Sequence, residues 1–305
     1  MSEQKPQISN SDVDFFIANG EFEIDHAFAM QEFTWYLQEL AEIRAGLPYE
    51  ALGIAERRRR SMPGIITAAS KRVSDPKMLK DESLTPKGSF AHLRLQGVMR
   101  SKDGASSRGV NSLIEDMNAA FDNDRIQGIL IEANTGGGEV TAGLMLQSII
   151  EQSPKAIVVY AHQLASAGVR ATLPADEIIA SSKSAEIGSI GTFISLPRNF
   201  AARYKEYFQD IYADKSTNKN AWFRQWLEGD LSGLKADINR SNDNFLADVQ
   251  KYRELKGSEK QIEEVLSGKM FYAPEAKRRG LIDGIGGFQY AVKRLKANVN
   301  RRKKS

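Results

Sequence analysis

From Phe90 onward, short apolar runs alternate with segments of helical spacing. "FAHLRLQGVM" (90–99), "IQGILIEA" (126–133) and "AIVVYA" (156–161) read as strands, and "VNSLIEDMNAAFD" (110–122) and "VTAGLMLQSIIEQ" (140–152) as the helices between them. "DEIIAS" (176–181) and "FQDIYA" (208–213) predict two further strands. Strands separated by helices imply βαβ crossovers and a mostly parallel sheet with helices on its faces. Farther on, Leu231, Leu234, Ile238, Phe245, Val249 and Tyr252 keep to one face of a long helix. Ser258 and Gln261 then stand in capping-box spacing, so the C-terminal third is mainly helical.

Residues 1–85 follow a different pattern. Phe28, Phe33, Tyr36, Leu37, Leu40 and Ile43 predict an amphipathic helical arm. The run Arg57–Arg60 and the polar stretch "KRVSDPKMLKDESLTPKGS" read as a linker. The division expected is an arm and linker over 1–85, a catalytic domain over 86–290 and a basic tail over 291–305. A length of 305 residues accommodates one large α/β domain with an appendage.

Composition narrows the classes. With 41% hydrophobic and 27% charged residues the chain should fold. It has no apolar run of about 18 residues. Its first residues, "MSEQKPQISNSDVDFF", lack the basic-then-apolar layout of a signal peptide. The expectation is a cytoplasmic protein with no membrane partner. Arg57–Arg60 and Arg301–Lys304 carry no interleaved aromatics and read as solvated faces rather than a nucleic-acid grip. The absence of cysteine excludes disulfides and thiolate catalysis, leaving Ser, Thr, Lys and carboxylates as nucleophiles.

Two small-residue turns follow consecutive strands, at the sheet edge where open α/β folds bind ligands. In "EANTGGGEVTAG", Gly136–Gly138 allow close backbone approach and precede a helix N-terminus, which suits an anion. The turn has neither the phosphate-loop nor the GxGxxG pattern, so an acyl-transfer oxyanion is the other anion that fits. In "LASAGVRAT", Ser166 is either a helix cap or a nucleophile, with the Ala167 N–H as a second oxyanion donor. A nucleophilic serine needs a base. His26 lies in the arm, His92 in the first strand, and His162 too close along the chain to swing back onto Ser166. A lysine kept neutral by burial is the alternative, and "YADKSTNKNAW" offers Lys215 and Lys219 beside Trp222, Phe223 and Trp226.

"IQGILIEANTGGGEV", "VVYAHQLASAGV", "EIGSIGTFI", "YADKSTNKN" and "SGKMFYAPEAKRRGLIDGIGG" resemble, in that order, the motifs of the signal-peptide peptidase family of Ser–Lys proteases. That family includes soluble phage proteases that process capsid proteins. The resemblance spans about residues 90–290 and implies the Clp-protease/crotonase-like fold, a layered α/β structure of repeated ββα units. It maps the nucleophile onto Ser166 and the base onto Lys219, with Lys215 as runner-up. The oxyanion donors map onto Gly136 or Gly137 and Ala167, and the substrate-lining segment onto Gly188, Ser189, Ile190 and Gly191. It implies no metal and no cofactor, a peptide or protein substrate and a homo-oligomer. Thr135, Ala167 and Val169-Arg170 depart from the family pattern, so specificity does not carry over.

The function expected is a serine endopeptidase acting through an acyl-enzyme, with phage or prophage head proteins as substrates. Alternatives are degradation of signal peptides or general peptides, and a catalytically silent assembly protein of the same fold. A crotonase-type acyl-CoA enzyme would need a carboxylate in the site, and Glu139 is the acid beside the glycine turn.

Overall fold

The long apolar runs "IQGILIEANT" and "AIVVYAHQLA" are central parallel strands buried on both faces. The structure, a computed structural model, describes residues 22–24, 61–104, 108–196 and 199–304. In chain order the strands are β1 (Phe22–Ile24), β2 (Gly64–Ile66), β3 (Arg72–Val73), β4 (Ser89–Gln96), β5 (Ile126–Thr135), β6 (Gly137–Glu139), β7 (Ala156–Ala165), β8 (Glu177–Ala180), β9 (Glu186–Gly188), β10 (Met270–Tyr272) and β11 (Gly284–Ile285). The helices used below are α1 (Val110–Asp122), α2 (Val140–Glu151), α3 (Ala167–Thr172), α4 (Phe200–Tyr207), α5 (Ala221–Leu227), α6 (Ser232–Tyr252) and α7 (Phe288–Arg302).

The main sheet runs β10-β9-β7-β5-β4-β2-β3, with β8 and β11 branching from β7. Strands β4, β5 and β7 are mutually parallel, joined through α1 and α2. Because side chains alternate along a strand, Ile129, Ile131, Ala133, Ile157, Val159 and Ala161 form one core with α1, α2, α3 and α6. Leu130, Val158 and Tyr160 form a second core against α7. The mixed α/β fold with a central sheet is the one the sequence implies.

The register of β5 on β7 slips between Ala133 and Asn134, so that Ala133 faces Ala161 but Asn134 faces Gln163. His162 is the extra residue of this bulge, and at the same place the neighbour of β7 changes. Residues 158–161 pair with β8, whereas 163–165 pair with β9. Bulges re-aim the chain beyond them, and here the re-aimed end leads directly into Ser166.

Three expectations differ from the structure. Residues 208–213 form no strand and pair with none among the described residues, and Phe208 and Ile211 are exposed rather than buried on a sheet face. Part of the expected linker, Gly64–Ile66, joins the sheet beside β4. The segment read as a basic tail is largely helix α7, which buries Ala291, Val292, Leu295 and Val299 and leaves its basic side chains outside. The arm helix expected over 26–43 lies outside the described residues. Among the described residues, no helix is long and apolar enough to cross a membrane.

Candidate active site

Ser166 stands where β7 gives way to α3, at φ 52° and ψ −119°, a backbone conformation that non-glycine residues rarely adopt. Its N–H donates to the Gly188 carbonyl at 2.9 Å, which fixes the turn to the end of β9. Among the described residues its hydroxyl makes one contact, a long one of 3.4 Å to the Gly191 carbonyl. The side chain does not cap α3, which disposes of the helix-cap reading. Ser166 is 1% exposed.

The glycine turn lies against this serine turn. A Cβ on Gly168 would stand 2.6 Å from Thr135 Cγ2, so only glycine allows the two backbones to approach this closely. Thr135 in turn organises its own loop: its hydroxyl donates to the Gly97 carbonyl at 2.6 Å and accepts the Gly137 N–H at 3.1 Å. Gly137, at φ 97°, completes the turn. The Gly137 N–H is therefore engaged, whereas among the described residues the N–H groups of Gly136 and Ala167 donate to no acceptor.

The proposed substrate-lining residues are close by. Gly188 and Ile190 are buried, Ser189 and Gly191 partly exposed. The Ser189 N–H reaches the Lys269 carbonyl at 3.3 Å, and Asn242 Oδ1 accepts the Thr192 N–H at 3.1 Å. Asn242, on α6, thus pins the chain just beyond the carbonyl that Ser166 touches.

The three histidines and two lysines separate clearly. His162 Nε2 lies 2.9 Å from Glu132 Oε1 and His92 Nε2 2.8 Å from Glu132 Oε2, so both histidines are committed to a carboxylate away from Ser166. His26 lies outside the described residues. Lys215 and Lys219 are exposed, in a loop that Arg224 staples to α5 through the Thr217 carbonyl and the Tyr212 ring. Helices α4 and α5 pack through Phe200, Tyr204, Phe223 and Trp226, with no residue of either fully buried. The structure does not place either lysine in hydrogen-bonding contact with Ser166.

Sequence reasoning missed two supporting residues. Thr135 could have been read from its position two residues before Gly137, the spacing at which a threonine hydroxyl accepts a turn N–H. Arg170 is buried and paired to Asp248 of α6 at 3.1 Å, a partner 78 residues away that no local pattern signals. Glu139, the acid beside the turn, is taken up by the N–H and hydroxyl of Ser101 at 2.8 and 2.7 Å. Among the described residues, no group of three or more His, Cys, Asp or Glu could hold a metal.

Residues 150–302, which carry Ser166, β9 and the lysine loop, match the family model of peptidase family S49. The chain belongs to peptidase family S49. Two related proteins carry protease names. A candidate protease of Methanocaldococcus jannaschii, MJ0651, is 30% identical over 182 residues, covering 58% of each chain. Protease 4 of Haemophilus influenzae is 27% identical over 211 residues, covering 67% of this chain and 34% of its own. The chain thus matches a little over half the length of one of these relatives and about a third of the other. Among solved structures, an enoyl-CoA hydratase from Shewanella pealeana superposes with a TM-score of 0.42 at 13% identity, over 74% of this chain and 78% of its own.

Proposed function

We propose that the protein is a serine endopeptidase in which Ser166 is the nucleophile and Lys219 the general base. The observation that carries this reading is the conjunction at Ser166: a buried serine at positive φ whose hydroxyl makes, among the described residues, one long contact, in a turn packed against the glycine turn, with one unengaged backbone N–H in each turn. In this mechanism the hydroxyl gives up its proton to neutral lysine and attacks a peptide carbonyl. The N–H groups of Gly136 and Ala167 hold the oxyanion, Gly137 being committed to Thr135. The lysine then protonates the leaving amine, and water releases the acyl-enzyme.

Lys219 reaches Ser166 in this reading when the exposed α4–α5 unit closes over the substrate or is covered by a second copy in a homo-oligomer. Desolvation on closure is what would lower the lysine pKa enough for a base. The substrate class proposed is phage or prophage head proteins, as the resemblance implies. Signal-peptide remnants are the rival, and incubation with each followed by mass spectrometry separates the two.

Ser166→Ala should reduce cleavage of a labelled protein substrate by at least about a thousandfold without unfolding the chain. Lys219→Ala should do the same and Lys215→Ala should not. Full activity of Lys219→Ala with loss in Lys215→Ala would move the base four residues upstream, and full activity of Ser166→Ala would end the proposal.

A further inference from the structure

Strand β6 lies immediately beyond Gly136, and helix α3, headed by Ser166, contacts both β6 and β1. On one side, Met99 accepts the Glu139 N–H at 2.9 Å and donates to the Gly137 carbonyl at 2.8 Å. Backbone groups alternate in direction along a strand, so the N–H and carbonyl of Gly138 face the opposite side. That side is occupied by a segment of the same chain. Phe22, Glu23 and Ile24 run antiparallel to β6, opposite Glu139, Gly138 and Gly137 respectively. The register sets Glu23 against the outward-facing groups of Gly138, as in a hydrogen-bonded pair of an antiparallel ladder.

An unpaired strand edge is a template for an extended peptide, which binds through its backbone. This edge starts one residue from the proposed oxyanion donor, so a peptide delivering its carbonyl to Ser166 would run along it. The arm strand stands there instead. We propose that Phe22–Ile24 is an in-cis occupant of the peptide-accepting edge of Gly137–Glu139, which an incoming peptide displaces. The inference rests on the peptidase reading for its meaning, but the occupancy is measurable without catalysis. Among the described residues the arm contributes three paired positions, and so short a pairing can exchange with an incoming peptide.

The test is equilibrium binding of a fluorescein-labelled peptide with the sequence of residues 18–28 to the full chain carrying Ser166→Ala, read by polarisation. Adding Glu23→Pro removes the N–H that faces Gly138 and should raise the affinity about tenfold. Glu23→Ala keeps that N–H and should bind like the parent. Circular dichroism checks that each variant stays folded. Equal affinity of the proline variant and the parent, or no binding by either, overturns the proposal. Cleavage is assayed separately with Ser166 intact, so failure of the peptidase reading leaves the binding result standing.

Discussion

Ser166 combines a positive φ with burial, and both are imposed by what surrounds it. The Gly188 carbonyl holds its N–H, and Thr135 packs against Gly168 two residues on. A strained serine persists only where neighbours over-determine it, and such positions cluster at functional sites. Thr135 is the residue on which this most depends, because one hydroxyl serves both the Gly97 carbonyl and the Gly137 N–H. Thr135→Val keeps the shape and leaves both groups unpaired, so it should destabilise the chain by about 2 kcal/mol or more and lower kcat. Urea unfolding and steady-state cleavage check this, and a valine variant as stable and active as the parent would show the hydroxyl to be dispensable. The sequence marks Thr135 as a departure from the family pattern. Its bond to Gly137 has a readable spacing, but its bond to Gly97 does not, since Gly97 lies 38 residues away.

At the scale of elements, the site depends on α3 being held against the long helix α6. Arg170 projects from α3 to Asp248 and lies over the Phe245 ring, its guanidinium carbon 5.2 Å from the centroid. The sequence makes Arg170 look like a specificity residue, yet at 2% exposure it is a tie between helices. Asp248→Ala removes its carboxylate and should cost about 2–3 kcal/mol in a thermal or urea melt. That is less than breaking a fully buried pair, because the Asp248 side chain is 25% exposed. An unchanged melt would mean that the pair contributes nothing. Strands β4, β5 and β7 and helices α1, α2 and α6 were legible from periodicity. The three-residue strands β6, β9 and β10 are too short to show any. Helix α7 was obscured by its charges, although Ala291, Val292, Leu295 and Val299 keep helical spacing beneath them.

Across the whole molecule, Ser166 lies beside one face of the sheet and a charged cluster on the other. Burial would raise the pKa of Glu132, but hydrogen bonds from His162 and His92, with Arg72 nearby, outweigh it and hold the carboxyl far below its ordinary value. Burial also lowers His92, despite the favourable Glu132 contact. Both shifts have the same sign for stability. The His92 contribution is complete above its ordinary value near about 6.5 and erodes as pH falls below it. The Glu132 contribution is complete above about 4.3 and is lost as pH falls further, through its depressed folded value. Thermal melts should therefore weaken in two steps on acidification, and Glu132→Gln should abolish the lower one; parallel curves for variant and parent would contradict this. The same sheet delivers Ser166 at the end of β7 while leaving both lysines on an exposed loop, so the strand-to-helix turn that holds Ser166 was legible in the sequence and the distance of the lysine loop from it was not. Whether Ser166 is a reactive nucleophile is read by mass spectrometry of the full chain after treatment with a serine-reactive phosphonate. A single adduct on Ser166, lost in Ser166→Ala and slowed in Lys219→Ala, is the result predicted. An unmodified Ser166, or labelling that persists in Ser166→Ala, would contradict it.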